Sequence, residues 1–462
     1  MPHRLTLTRM AEEIRARRLS PMELADAHLR QIEKVNPVLN AFVTVLADEC
    51  REAARRAESS PTQGPLHGVP VTIKDSLDVA GLPTLCGSRF RLAHRVERDS
   101  TPVARLRAAG AILLGKTNCP EFLHAYETDN HVTGRTNNPW NTERTPGGSS
   151  GGEAAAIASF CSAGGVGSDG GGSIRVPAHF CGIAGLKPTP GRVPATGHFP
   201  EICHPGGLLG VCGPMARTAE DVRTLFQVLA GYDSDDPFSA PVALRAPDLN
   251  GVLVGVMEQF YQVPVQPSVR AAVQKAARTL ESMGVPVVPF EPVGLERAPN
   301  LWTAFFDELA LPFLRDTIRG YESEAHWTTT EFLKACEGKP ERSATDVLEW
   351  LGARDHMRGN MLRQMSGIPV LLMPVAAVTA FPHRTHRFGT GVGEIGVFQA
   401  MMTATPWNLL GLPAMAIPFD RDSDGLPVGV QLVGKPWEEE LLLELAVRME
   451  EARGPFPRAP GV

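Results

Sequence analysis

The chain has 462 residues, 43% of them hydrophobic and 21% charged, and carries a formal net charge of −6. That length allows a large buried core, and a mildly acidic chain with scattered basic residues lacks the charged footprint of a nucleic-acid binder, so no nucleic-acid partner is expected. The longest apolar run, 368–381, is too short to span a bilayer and contains Pro369 and Pro374, so it reads as a buried strand and no membrane partner is expected.

Residues 1–6 hold no apolar h-region, so no signal peptide and a cytoplasmic location are expected. Eight cysteines without CxxC spacing read as reduced, buried small hydrophobes. Cys203-His204 has no second pair to complete a zinc site, so neither metal nor cofactor is expected. Along the chain, Ser20-Pro21-Met22-Glu23 is a capping box that predicts a helix to about Val35. Strand-like runs follow at 69–74, 111–115, 163–166, 251–256, 285–290 and 370–374. Helical patterns at 101–109, 153–160, 218–229 and 268–282 fall between them. Strands alternating with helices predict an α/β fold with crossover connections. No linker or repeat divides residues 1–462, so a single domain is expected. The segment 301–366 turns helical and aromatic-rich and reads as a helical cap within that domain. A strand at 426–433 and a helix at 438–451 close the chain.

Two short motifs carry weak signals. Gly110 to Thr117 spells a phosphate-binding loop, but its interior, Ala111-Ile112-Leu113-Leu114, reads as a buried strand, which sets ATP binding aside. Gly147-Gly148-Ser149-Ser150-Gly151 matches a nucleophile elbow, which leaves an esterase of the α/β-hydrolase type using Ser149 as one reading. That reading needs one of the downstream histidines and a strand entering the turn, and no clear strand precedes it. Ser150-x-x-Glu153 before Ala154 is also a capping box, which makes Ser150 a helix cap.

Ser173 is the stronger nucleophile. It follows Gly170, Gly171 and Gly172, whose N–H groups, with its own, could converge on an oxyanion. Lys74 ends a hydrophobic strand, where a lysine is either ion-paired or depressed in pKa enough to act as a base.

Gly68 to Asp75, Gly115 to Asn118, Gly147 to Glu153, Gly167 to Arg175, Gly182 to Thr189, Asn408 to Ala414 and Gly425 to Gln431 together resemble the amidase signature family. The resemblance runs from about residue 20 to the C-terminus. It implies a mixed central β-sheet covered by helices on both faces, with Lys74 as base, Ser149 as a bridging serine on a cis peptide after Gly148, and Ser173 as nucleophile. It also implies an oxyanion hole at Gly170, Gly171, Gly172 and Ser173, with Asp169 and Arg175 orienting the loop. The implied activity is hydrolysis of a non-peptide carboxamide, with esters and carbamates (urethanes) as further small-molecule substrates. A homodimer follows only by family analogy. The rival within the family is the glutamine-amidase subunit of a tRNA-dependent amidotransferase. Glu153, where such subunits tend to have serine, and the run 197–204 favour a stand-alone amidase. Phe305, Phe306, Phe398, Met401 and Met402 are either pocket or core.

Overall fold

Buried strands at the centre of this molecule are continuous apolar runs, because both faces of the sheet are covered. In the computed structural model, which describes residues 1–202, 209–339 and 342–461, they form an eleven-stranded mixed sheet. Its members are β1 (Phe42–Val45), β2 (Pro70–Lys74), β3 (Ile112–Thr117), β4 (Gly164–Asp169), β5 (Ala184–Lys187), β6 (Val211–Ala216), β7 (Val254–Val256), β8 (Val287–Pro289), β9 (Val370–Pro374), β12 (Ala414–Arg421) and β13 (Pro427–Gly434). Two short strands, β10 (Arg387–Gly389) and β11 (Glu394–Gly396), form a separate ribbon. The order is β1-β3-β2-β4-β6-β5-β12-β13-β9-β7-β8. β2 runs parallel to both β3 and β4, while β4–β6, β6–β5, β5–β12 and β12–β13 are antiparallel. The sheet is therefore mixed, as the resemblance implies.

The position of β2 decides where the reactive groups lie. With a neighbour on each side and helices over both faces, alternate residues have nowhere exposed to point. Val71 and Ile73 on one face, and Thr72 and Lys74 on the other, are all fully buried. A lysine is thereby carried into the interior by strand register.

Local signals explain most helices. Ser20 caps the helix Pro21–Leu39, its hydroxyl accepting from the Met22 and Glu23 N–H groups and the Glu23 carboxylate accepting from the Ser20 N–H. The helix continues past the predicted end, through Pro37, and stops where Asn40 turns left-handed at φ 52°. The phosphate-loop match is β3, with Lys116 paired to Asp75 at 2.7 Å and donating to the Pro83 carbonyl at 2.9 Å, so no phosphate cradle exists there.

The described residues between 298 and 364 hold the helices Ala298–Thr303, a π-helical turn at Ala304–Glu308, then Leu311–Ile318, Trp327–Ala335 and Ala344–Gln364. Trp302 and Phe305 pack with Trp407, Leu409 and Leu410 in a second core cluster. No described helix is long and apolar enough to cross a membrane. Cys203-His204 lies outside the described residues.

Candidate active site

Lys74 ends β2 opposite Thr117 of β3. Its Nζ donates to Ser149 Oγ at 2.7 Å and to Ser168 Oγ at 3.0 Å. The adjacent carboxylate, Asp75, is turned instead to Lys116. Burial without a paired anion disfavours the ammonium. It lowers Lys74 to about 8, with Cys119, Cys86 and Asp169 offsetting part of the effect. A base with that value is neutral above pH 8 and protonated below it. For an amide substrate, kcat/KM is therefore expected to rise with pH and level off above about 8. A profile flat from pH 6 to 9 contradicts Lys74 as the base.

Ser149 sits on a turn that only glycines permit. Gly147 has φ 85°, and a Cβ on Gly148 would lie 2.4 Å from the Ala125 carbonyl oxygen. The Gly148–Ser149 peptide is cis. The Ser150 N–H donates to the Ser173 carbonyl at 3.1 Å, tying the two serine loops together.

The capping box expected at Ser150 does not form. The Ser150 hydroxyl donates to the Ser168 carbonyl at 3.2 Å and makes no cap bond to the helix Gly151–Ala158. Glu153 is engaged elsewhere, accepting from Thr72 and from Thr117 (2.6 Å). Burial raises Glu153 to about 7, and those two hydroxyls hold it back from rising further. A fully buried carboxyl stays with its donors rather than reaching back to cap a helix.

β4 ends at Asp169, and the glycine loop comes next. Asp169 accepts from the Gly172 N–H (2.7 Å), the Ile174 N–H (3.1 Å) and the Arg175 guanidinium (Nε and Nη2, both 3.0 Å). Burial alone would raise Asp169, but Arg175, Lys187 and Asn408 outweigh it and hold the carboxyl below the usual carboxylate range. Arg175 also donates to the Ala404 carbonyl, Gln431 and Asn408 at 2.6–3.1 Å. This network ties the loop to the two C-terminal motifs.

Of the four N–H groups expected to form an oxyanion hole, that of Gly172 already belongs to Asp169. The N–H groups of Gly170, Gly171 and Ser173 have no partner among the described residues. A Cβ on Gly171 would lie 2.3 Å from Trp302 Cζ2, so the loop backbone rests directly on that ring. Gly171→Ala is expected to lower kcat about 10²-fold or more by displacing an oxyanion donor. Unchanged kcat would remove Gly171 from that role.

Ser173 opens on two cavities, each of about 330 Å³, that share Leu123, His124 and Phe306 as walls. The first is lined by Tyr126, Gly171, Trp302, Trp327, Phe332 and Phe398. The second holds Ser149 and Ser168, with Ile202, Leu309 and Phe313 as apolar wall. The described lining residues of both include no arginine or lysine. Of the residues read as either pocket or core, Phe306 and Phe398 face the cavity, whereas Phe305 and Met401 are fully buried and Met402 packs on the second core cluster. Trp302, Phe313 and Trp327 lie in the segment 301–402, whose large apolar residues read as either pocket or core, whereas His124 was not foreseen, since no local pattern marks it. Among the described residues no histidine bonds Ser149 or Ser173. His198 lines the second cavity, but its Nδ1 meets the Pro200 carbonyl at 2.7 Å. The arrangement places a lysine on Ser149, and the histidine that the elbow needs does not meet either serine among the described residues.

A family model described as Amidase matches residues 23–443, and the chain belongs to the amidase (amidase signature) family. It is an enzyme acting on carbon–nitrogen bonds. Among curated proteins it is similar to a glutamyl-tRNA(Gln) amidotransferase subunit of Synechococcus sp. (strain CC9605), 34% identical across 99% of this chain and 98% of that protein. Further relatives of the same name are 33–36% identical. Two similar solved structures are a 6-aminohexanoate cyclic dimer hydrolase complexed with substrate and a bacterial aryl acylamidase of the amidase signature family. The first has 29% identity and a TM-score of 0.87, covering 99% of this chain and 98% of that one. The second has 28% identity and a TM-score of 0.86, covering 97% and 96%.

The curated names agree better with the glutamine-amidase alternative than with a stand-alone amidase. They also overturn the expectation of no nucleic-acid partner, because the relatives are named for a tRNA. That expectation rested on net charge, which averages the whole surface and cannot settle what a complex handles.

Proposed function

We propose that this chain cleaves a carboxamide, or a related ester or carbamate, through an acyl-enzyme on Ser173, and that the substrate carries no carboxylate beside the scissile bond. Neutral Lys74 draws a proton from Ser149, which draws one from Ser173 as its Oγ attacks the carbonyl carbon. The oxyanion faces the N–H groups of Gly170, Gly171 and Ser173. Ser149 passes its proton to the leaving nitrogen as the C–N bond breaks. Water, deprotonated along the same relay, then releases the acid. The observation that carries this reading is the 2.7 Å contact between Ser149 and a buried lysine that has no ion-pair partner among the described residues. The cavities, without arginine or lysine among their described walls, support a flank that carries no carboxylate, since a glutamine carboxylate would meet neither of those cations among the described residues.

A second reading, the glutamine-amidase subunit of a tRNA-dependent amidotransferase, is favoured by the names of the curated relatives. One comparison separates the two. Turnover of acyl anilides, esters or carbamates by the isolated chain, with glutamine inert, supports the first. Ammonia release from glutamine, with the anilides inert, supports the second and overturns the first.

A further inference from the structure

We propose that the cavity walled by Trp302, Phe306, Trp327, Phe332 and Phe398 receives the acyl part of the substrate and holds an ammonium group there, with Asp307 as its counter-ion. The substrate class is then an amide of an amino acid whose acyl chain carries a free amine and no carboxylate. This rests on the acyl-enzyme reading above and specifies its substrate.

The direction of binding follows from the two serines. Ser149 must reach the leaving nitrogen, and it lines the second cavity but is absent from the described walls of the first. The leaving group therefore occupies the second cavity, and the acyl chain extends into the first.

The chemistry of that first cavity selects a cation. Asp307 lines it from the π-turn Ala304–Glu308, beside Phe306. Its carboxyl has no hydrogen bond or ion pair among the described residues. Lys339, the cation whose charge reaches it, is directed to Glu308 at 3.4 Å. An unpaired carboxyl facing an apolar cavity is costly without a ligand, and burial raises Asp307 to about 7. The other carboxylates have neighbours: Glu331 lies 3.7 Å from His386, and Glu127 accepts the Arg384 N–H at 2.8 Å. His124 adds no opposing charge, because burial lowers it to about 4. Aromatic rings, which attract cations, share the wall of this cavity with the carboxyl. Trp302 stacks on Phe306 with centroids 4.6 Å apart, and on Phe398 at 6.4 Å. Carboxylate and aromatic faces together stabilise an ammonium and repel an anion.

The test compares 5-aminopentanoyl and hexanoyl p-nitroanilides, which differ by an ammonium in place of a methyl. The wild-type enzyme is expected to show kcat/KM about tenfold higher for the amino substrate, with the ratio lost in Asp307→Asn. A wild-type ratio near one, or a ratio that survives Asp307→Asn, overturns the proposal. Binding is read independently of turnover by protection of Ser173 from a fluorophosphonate with n-pentylammonium or 1-pentanol. Stronger protection by the ammonium, dependent on Asp307, is expected. Equal protection by the two overturns the cation site. Ammonium-selective protection without turnover of either anilide upholds the cation site and instead overturns amide cleavage as the activity proposed above.

Discussion

Ser173→Ala is expected to lower turnover by about 10⁴-fold or more, with thermal unfolding close to that of the parent. The first half of this expectation comes from the absence of a substitute. Ser149 and Ser168, the other serines of the second cavity, are both held by Lys74, at 2.7 and 3.0 Å, and Ser149 stands in the bridging position. The second half comes from packing. The Ser173 hydroxyl has no hydrogen-bond partner among the described residues, so its removal leaves no orphaned polar group. The loop is held by Asp169 and Arg175 instead. Steady-state kinetics and a melting curve check both halves. Retention of more than about a tenth of the activity would move the nucleophile to Ser149 and return the elbow reading.

Arg175→Ala is expected to destabilise the fold by about 3–5 kcal/mol, measured by denaturant unfolding at pH 7. Arg175 and Asp169 are both fully buried, and the guanidinium also satisfies Ala404, Asn408 and Gln431. Truncation leaves a buried carboxylate without its cation and three acceptors short of a donor. The sign of the pH dependence follows from the depressed Asp169. A carboxyl held below its ordinary value contributes fully above that value and loses its contribution only as the pH falls into the acid range, so pH 7 reads the whole effect. Arg175→Lys is expected to restore only part, because a point charge cannot reproduce the two-pronged contact. A loss below about 1 kcal/mol in Arg175→Ala would contradict the view that this pair holds the glycine loop.

The legible parts of this molecule are those where one local pattern has one physical outcome. Apolar runs bounded by polar turns predicted β2, β3 and β9, and Lys74 stood out as the polar end of such a run. The positions of Ser149 and Ser173 were legible through glycine-rich motifs that belong to a family, not through periodicity. Strands β5, β6 and β12 escaped because glycine and proline interrupt them. Pro214 sits inside β6 opposite Val166, and Pro418 inside β12, where propensity argues against a strand and tertiary pairing overrides it. Ser150 and Glu153 carried a true capping pattern, yet buried hydroxyls on two strands claimed the carboxylate. Gly172 was counted among the oxyanion donors because nothing local shows that Asp169 folds back to accept its N–H. The cavity walls come from segments that meet only through the fold, so spacing could not announce them.

The central claim is that Ser173 is activated by Lys74 through Ser149. The most direct measurement is labelling with a fluorophosphonate, followed by peptide mass spectrometry, on the parent and on Lys74→Ala. The account predicts an adduct on Ser173 in the parent and its loss in the variant. An adduct on Ser149 or Ser150, or one on Ser173 that persists undiminished without Lys74, would contradict it.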